Sequence, residues 1–227
     1  MRGPGALDAS PRREAGTEHR SRAPSAEPGS PLRARIAEAA QELYLREGAE
    51  GVSMRRVAER VGVSAPAIYR HFRNKDELLS EIVVEGLRIL EGCLRPGLDA
   101  SSPYERLLSM ADGYLGFAIE QPRYFDFAFM IPSLKVEQIP AEIEKRNWRT
   151  FRLAIEQVVA CMEQGVLRRD DPLETAITIW AEVHGLITLF RTGRLAMDDQ
   201  QFRPVYRRAV RRVLHGLMTE EALAREP

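Results

Sequence analysis

Residues 53–78 read SMRRVAERVGVSAPAIYRHFRNKDEL, and this stretch decides the fold. Ser53 is a helix N-cap residue, and Met54, Val57, Ala58 and Val61 behind it recur at the spacing of one helical face. Gly62 stops that helix, because glycine takes the backbone angles of a sharp turn without a Cβ penalty. Ser64 starts a second, very short helix carrying Ala67, Ile68 and Phe72, with Pro66 in the first turn, where the missing N–H has no helical partner. Asn74 starts a third helix, with Glu77 at the capping-box position and Leu78, Leu79, Ile82, Val83, Leu87 and Leu90 following. Two short helices joined by a tight glycine turn form a helix-turn-helix unit. Ala58 is small where the helices cross, and Val57, Val61, Val63, Ile68 and Phe72 are its expected mini-core.

Such a unit offers its second helix to a DNA major groove. Ser64, Ala65 and Ala67 are small enough for the tip to sit deep, and Tyr69, Arg70, His71, Arg73 and Lys75 would flank the groove. Lys75 adds its charge to a helix N-terminus, which already favours an anion. The same pattern also fits an ordinary helical pair with solvated basic residues. Residues 31–80 carry nine Arg or Lys against seven Asp or Glu, a slight excess.

Upstream, Ile36, Ala39, Ala40 and Leu43 predict a first helix ending near Gly48. Residues 1–30 are rich in Pro, Gly, Ser, Ala and Arg, with Leu7 the one large apolar residue beyond Met1. Such a composition cannot offset its chain entropy, so a disordered tail is expected. Downstream, helices are predicted over residues 103–120, 140–164, 172–191 and about 201–217, with a short aromatic piece at 123–130 between them. Residues 172–191 are apolar nearly all round, which predicts a buried helix. The last helix has a stripe of Phe202, Val205, Tyr206, Ala209, Val210, Val213, Leu214 and Leu217. No strand signal stands out, and the predicted fold class is all-α.

Composition narrows the function classes. The chain has 227 residues, 44% of them hydrophobic, and a formal net charge of zero, so any electrostatic partner must be recognised locally. Cys93 and Cys161 are far apart with no CxxC spacing, which fits reduced structural thiols. No apolar run approaches the length of a membrane span, and the N-terminus lacks the apolar core of a signal peptide, so a cytoplasmic protein with no membrane partner is expected. No GxxxxGK[ST], HExxH, GxSxG or paired-cysteine metal motif occurs, and His19, His71, His184 and His215 lie on different segments. No enzyme, cofactor or metal is expected.

Residues 33–90 resemble the DNA-binding domain of the tetracycline-repressor (TetR) family of bacterial transcription regulators. The resemblance rests on the helix ending at Gly48, on SMRRVAERVGVS, and on IYRHF followed by K and L at the spacing of Lys75 and Leu78. It implies a three-helix helix-turn-helix domain over 31–78 and a larger helical regulatory and dimerisation domain over 79–220. It also implies backbone phosphate contacts from Ser53, Tyr69 and Lys75, a recognition helix over 64–71, and Ala65, Pro66, Ala67 and Arg70 nearest the bases. The thirty residues before the first helix are longer than family members usually carry.

A second local likeness lies in WAEVHGLITLFRTGRL, residues 180–195, which is similar to a TetR-type C-terminal domain named for its Trp-His-Gly signature. Trp180 and His184 are four apart on one helical face. Either they border a ligand pocket, or they are core residues with His184 satisfied by a single hydrogen bond. Tyr114, Phe117, Phe125, Phe127, Phe129, Met130, Trp148 and Phe151 concentrate aromatic surface in the middle of the chain. With Trp180 and His184 they mark the region of a largely apolar effector pocket. The pair of helices over about 172–191 and 201–217 is the expected homodimer interface, and a two-fold dimer suits a palindromic operator. The leading expectation is a ligand-responsive repressor of double-stranded DNA. The rivals are a transcriptional activator, a helical interaction or ligand-binding protein not regulated by a small molecule, and an enzyme.

Overall fold

A computed structural model describes residues 31–129 and 149–225. The sequence expectations for residues 1–30, Met130 and Trp148 lie outside the described residues. Among the described residues the chain is helical, with one isolated antiparallel bridge between Leu167 and Met218.

Three helices form the head: α1 (Pro31–Glu47), α2 (Met54–Val61) and α3 (Ala65–Tyr69). Ile36, Ala40, Val57, Ile68 and Phe72 are fully or almost fully buried and make one small core. Ser53 caps α2 by accepting from the Arg56 N–H at 3.3 Å. Gly62 ends α2 at φ 76°, ψ 35°, the left-handed geometry that the sharp turn to α3 requires. Ser64 begins α3 without a side-chain cap bond. α4 (Lys75–Leu94) is capped by Asn74, whose side chain accepts from the Glu77 N–H at 2.8 Å. Glu77 does not close the expected capping box. Its carboxylate reaches one residue further back and accepts from the Arg73 N–H at 2.7 Å.

The rest is a helical body: α5 (Pro103–Glu120), α6 (Pro122–Phe129), α7 (Arg149–Glu163), α8 (Pro172–Arg191), α9 (Asp199–Leu217) and a short α10 (Glu220–Leu223) that the sequence pattern did not announce. A 3-10 turn at Arg95–Asp99 folds α5 back along α4. A Cβ on Gly113 would lie 2.3 Å from the Cys93 carbonyl oxygen, so only glycine permits this backbone approach. On α9, Phe202, Tyr206, Val210 and Leu214 are buried along one face, and the Tyr206 hydroxyl donates to the Ala111 carbonyl at 2.9 Å.

One expectation is overturned. α8 is not a buried helix: of its residues only Thr175, Ala176, Val183 and Ile187 are buried. Ile177 and Leu189 remain 36% and 45% exposed, with Ala181 exposed between them. Neighbouring helices α5, α7 and α9 cover the other side. By length and composition α8 is apolar enough to cross a membrane. The sequence reading missed this because Glu174 and Glu182 interrupt the apolar run.

Candidate nucleic-acid interface and interior cavity

Eight of the nine cations of the head fall into two groups, Arg46 in the last turn of α1 being the ninth. Arg56 forks onto Glu47 at 2.5 and 2.7 Å and also donates to the Gly51 carbonyl at 2.7 Å. Arg60 pairs with Glu42 at 2.8 Å, and Arg55 with Glu59 at 3.1 Å. Arg35 donates to the Val61 carbonyl at 3.0 Å, satisfying the C-terminal turn of α2. Arg33 lies 4.1 Å over the Phe72 ring, pairs with Glu81 and donates to the His71 carbonyl. Arg33 and Arg35 thus position α2, α3 and the start of α4 from α1, a role the sequence reading missed. Among the described residues, no acidic side chain pairs with Arg70, Arg73 or Lys75.

Those three cations sit at the C-terminal end of α3 and the start of α4. Ser64, Pro66 and Arg70 are exposed, and Tyr69 is 53% exposed despite its large ring. Ser53, Ala65, Ala67, His71 and Lys75 are half-buried. The structure therefore brings the nine expected contact residues to the α2 N-terminus, α3 and the first residue of α4. Ser64 keeps its hydroxyl off the backbone, which leaves it available to an outside partner.

The body contains a cavity of about 490 Å³ that opens to the surface. Five helices line it: α4 through Ser80, Val83, Leu87, Leu90 and Leu94, α5 through Tyr114 and its neighbours, α6 through Ala128 and Phe129, α7 through Thr150 and Phe151, and α8 through Trp180. Tyr114, Phe151 and Trp180 were expected there. Phe117 and Phe127 were expected too, but they lie elsewhere. Phe117 is fully buried against Phe125, its ring centroid 6.3 Å away. Phe127 packs on Tyr44 of the head at 4.2 Å. The α4 residues are not among those the sequence points to.

His184 lies behind the wall, not in it. Its Nδ1 is 2.9 Å from the Tyr114 hydroxyl, and its ring stacks on Phe125 with centroids 5.5 Å apart. The Trp180 indole N–H donates to the same hydroxyl at 3.3 Å. Burial lowers the imidazole pKa below its ordinary 6.5, which favours the neutral ring. Burial likewise pushes the Tyr114 phenol well above its usual range. No group of three or more potential metal ligands occurs among the described residues.

Helix α6 joins this cavity to the head. Ala128 and Phe129 face the cavity, while Phe127 meets Tyr44 of α1. The Tyr44 hydroxyl donates to the Arg123 carbonyl at 3.0 Å, and Arg123 donates back to the Tyr44 carbonyl at 3.3 Å. From the other side, Arg191 at the end of α8 grips Asp126 of α6 at 2.7 and 2.8 Å and donates to the Ala118 carbonyl at 3.0 Å.

Comparison with known proteins agrees with both halves. A model of the tetR family of bacterial regulatory proteins matches residues 36–82, and a tetracyclin repressor-like C-terminal domain matches residues 107–213. The chain is 30% identical over 95 residues to an uncharacterized HTH-type transcriptional regulator, YobS, of Bacillus subtilis (strain 168), across 42% of this chain and 50% of that one. It is 39% identical over 57 residues to an HTH-type transcriptional regulator of Staphylococcus aureus (strain USA300), across 25% of this chain and 31% of that one. The chain thus spans half or less of the length of these relatives. Among solved structures, a protein of unknown function from Rhodococcus sp. RHA1 shares the fold with a TM-score of 0.70 at 22% identity, covering 86% of this chain and 98% of that one. The TetR family transcriptional regulator PfmR from Thermus thermophilus shares it with a TM-score of 0.55 at 24% identity, covering 80% and 97%. With the helix-turn-helix head and the helical body matched by two models of the same kind, the chain belongs to the TetR family of transcriptional regulators.

Proposed function

We propose that the protein is a cytoplasmic repressor that binds a palindromic operator as a homodimer and is released by a small molecule. One observation carries this reading: an exposed α3 with three cations lacking acidic partners is tied, through α4 and α6, to a cavity inside the body. On this reading Tyr69, Lys75 and Ser53 meet phosphates, while Ala65, Pro66, Ala67 and Arg70 approach the bases. The head (residues 31–78) and the body (79–220) act as two coupled parts. A molecule in the cavity that prefers one placement of α4 and α6 shifts the spacing of the two heads, and differential affinity between two states is all that release requires.

The open face of α8 supports the dimer. At about 100° per residue, Ile177, Ala181, Gly185, Thr188 and Leu189 fall within an arc of about 120°, with Ala181 and Gly185 at its centre. Glu174 in the first turn and Thr178 share this arc, and beyond them the small residues at its centre suit the close approach of a second helix, an identical one being supplied by a two-fold axis.

The test is a mobility shift with DNA from beside the protein's own gene. Salt-sensitive binding, with a footprint of two half-sites, is expected. Absence of binding to such fragments at low salt would remove the repressor reading.

A further inference from the structure

The shape and chemistry of the cavity limit what it can hold. On α4 its lining runs from Ser80 through Val83, Leu87 and Leu90 to Leu94. Fourteen residues of helix rise about 21 Å, so the cavity is long in the direction of α4. Ser80 is exposed, so the cavity reaches the surface at that end, and its hydroxyl is already bonded to the Asp76 carbonyl at 2.8 Å.

The register of α5 places the polar groups at the other end. Gly113 abuts Cys93, and Gly97 abuts Met110, so α5 runs antiparallel to α4. Tyr114 is therefore level with the Leu90 and Leu94 end, far from Ser80. There its hydroxyl meets His184 and Trp180. A phenol has one donor and two acceptor positions, and the indole can only donate. If Nδ1 accepts, the phenol keeps a lone pair for a ligand hydroxyl. If Nδ1 donates, the phenol keeps its O–H for a ligand carbonyl.

The described lining residues include no Lys, Arg, Asp, Glu or His. A carboxylate or ammonium entering this space would give up hydration without meeting an opposite charge among the described lining residues, which is unfavourable. A neutral oxygen needs only one hydrogen bond, and the cluster has one to give.

Resting on the reading of this cavity as the effector site, we propose that it takes an elongated, uncharged, chiefly apolar molecule bearing one hydroxyl or carbonyl oxygen. The oxygen sits at the Tyr114 hydroxyl, which His184 and Trp180 hold in place, and the apolar chain runs along α4 toward Ser80.

The test uses the full chain and 2-alkanones of seven to eleven carbons, 1-undecanol and undecanoate, titrated by calorimetry at pH 8. The expected Kd for 2-undecanone is at least tenfold below that for undecanoate. Tyr114→Phe should weaken 2-undecanone and 1-undecanol at least fivefold while leaving naphthalene, which has no oxygen, unchanged. That control shows that the variant cavity is intact. Val83→Phe should fill the Ser80 end, cutting the affinity for 2-undecanone at least fivefold and sparing 2-heptanone. Undecanoate binding as tightly as the ketone would overturn the uncharged class. Equal loss of both chain lengths in Val83→Phe would overturn the orientation, and no binding by any ketone or alcohol would overturn both. A parallel mobility shift separates this from the regulatory reading. If 2-undecanone binds in the expected pattern but leaves the DNA complex intact, the ligand class stands and ligand release fails. If undecanoate alone releases the DNA, release stands and the ligand class fails.

Discussion

Replacing Gly185 with leucine tests the dimer face directly. In the single chain, a Cβ built at Gly185 meets nothing within 4 Å, and no positive φ demands glycine there. A glycine inside a helix costs about 1 kcal/mol relative to alanine, so leucine at this position should favour the helix of an isolated chain by a similar amount. If α8 instead packs on its two-fold mate through Ala181 and Gly185, the added side chain collides with a helix. Overpacking of this kind costs about 1–3 kcal/mol per site, and a two-fold dimer carries the change twice. The dimer should then weaken by at least about 2 kcal/mol, roughly thirtyfold in Kd. Gly92 on α4 is the matched control, because its Cβ also meets nothing within 4 Å. Sedimentation equilibrium across a concentration series reads the dimer Kd of Gly185→Leu and Gly92→Leu side by side, with far-UV circular dichroism confirming unchanged helix. Gly92→Leu should leave the dimer intact. Gly185→Leu should yield monomer that fails to bind the paired half-sites. A Gly185→Leu protein that dimerises like the parent would refute the placement of this face at the two-fold axis.

Tyr69→Ala and Lys75→Ala should weaken binding to all DNA sequences alike, and Lys75→Ala should flatten the salt slope by roughly one unit, read by fluorescence anisotropy across a salt series. A changed sequence preference at unchanged affinity would contradict a phosphate role for Lys75. Arg191→Met should cost about 1–3 kcal/mol in urea unfolding, because it leaves the Ala118 carbonyl and the Asp126 carboxylate without their donor. It should also loosen coupling, so that more effector is needed for DNA release. Burial holds the His184 pKa below 6.5, so below that pH the unfolded chain binds the extra proton first and stability falls as pH drops. His184→Gln should remove this part of the pH dependence, whereas an unchanged pH slope in the variant would show that His184 does not contribute.

The helix-turn-helix was legible because its signals are local. The Ser53 and Asn74 caps, the apolar spacing of Val57 to Val61 and the Gly62 turn all act within a few residues, and each is realised in the fold. The cavity was legible only in part. Aromatic clustering marks burial, but it does not say against what. Phe127 has the same pattern as Phe129, yet its partner is Tyr44 of the head, and nothing near residue 127 encodes that choice. The α4 stripe of Val83, Leu87, Leu90 and Leu94 reads as ordinary core, because a void is a property of where five helices fail to meet and leaves no periodicity of its own.

Charge shows why composition could not locate the interface. An excess of nine basic over seven acidic residues in the head is too small to identify any surface. The fold resolves the ambiguity by distributing its ion pairs unevenly. Arg33, Arg55, Arg56 and Arg60 are engaged with Glu81, Glu59, Glu47 and Glu42, and Arg35 with a backbone carbonyl. The Arg33 contacts to His71 and Glu81 span 38 and 48 positions along the chain, so no short window of sequence contains them. Of the four that remain, Arg46 lies in the last turn of α1, and Arg70, Arg73 and Lys75 fall within six residues at the end of α3, beside the exposed Tyr69 ring. A nearly neutral head thus leaves three cations without ion-pair partners at one edge, next to Asp76 and Glu77 in the first turn of α4. The same reasoning predicts that cutting the internal pairs, as in Glu42→Gln with Glu47→Gln, should raise nonspecific DNA affinity at low salt by freeing Arg60 and Arg56, and should blur discrimination between operator and random DNA. Competition binding against random duplex measures that ratio. An undiminished ratio in the double variant would mean that the paired arginines stay out of reach of DNA whatever their partners.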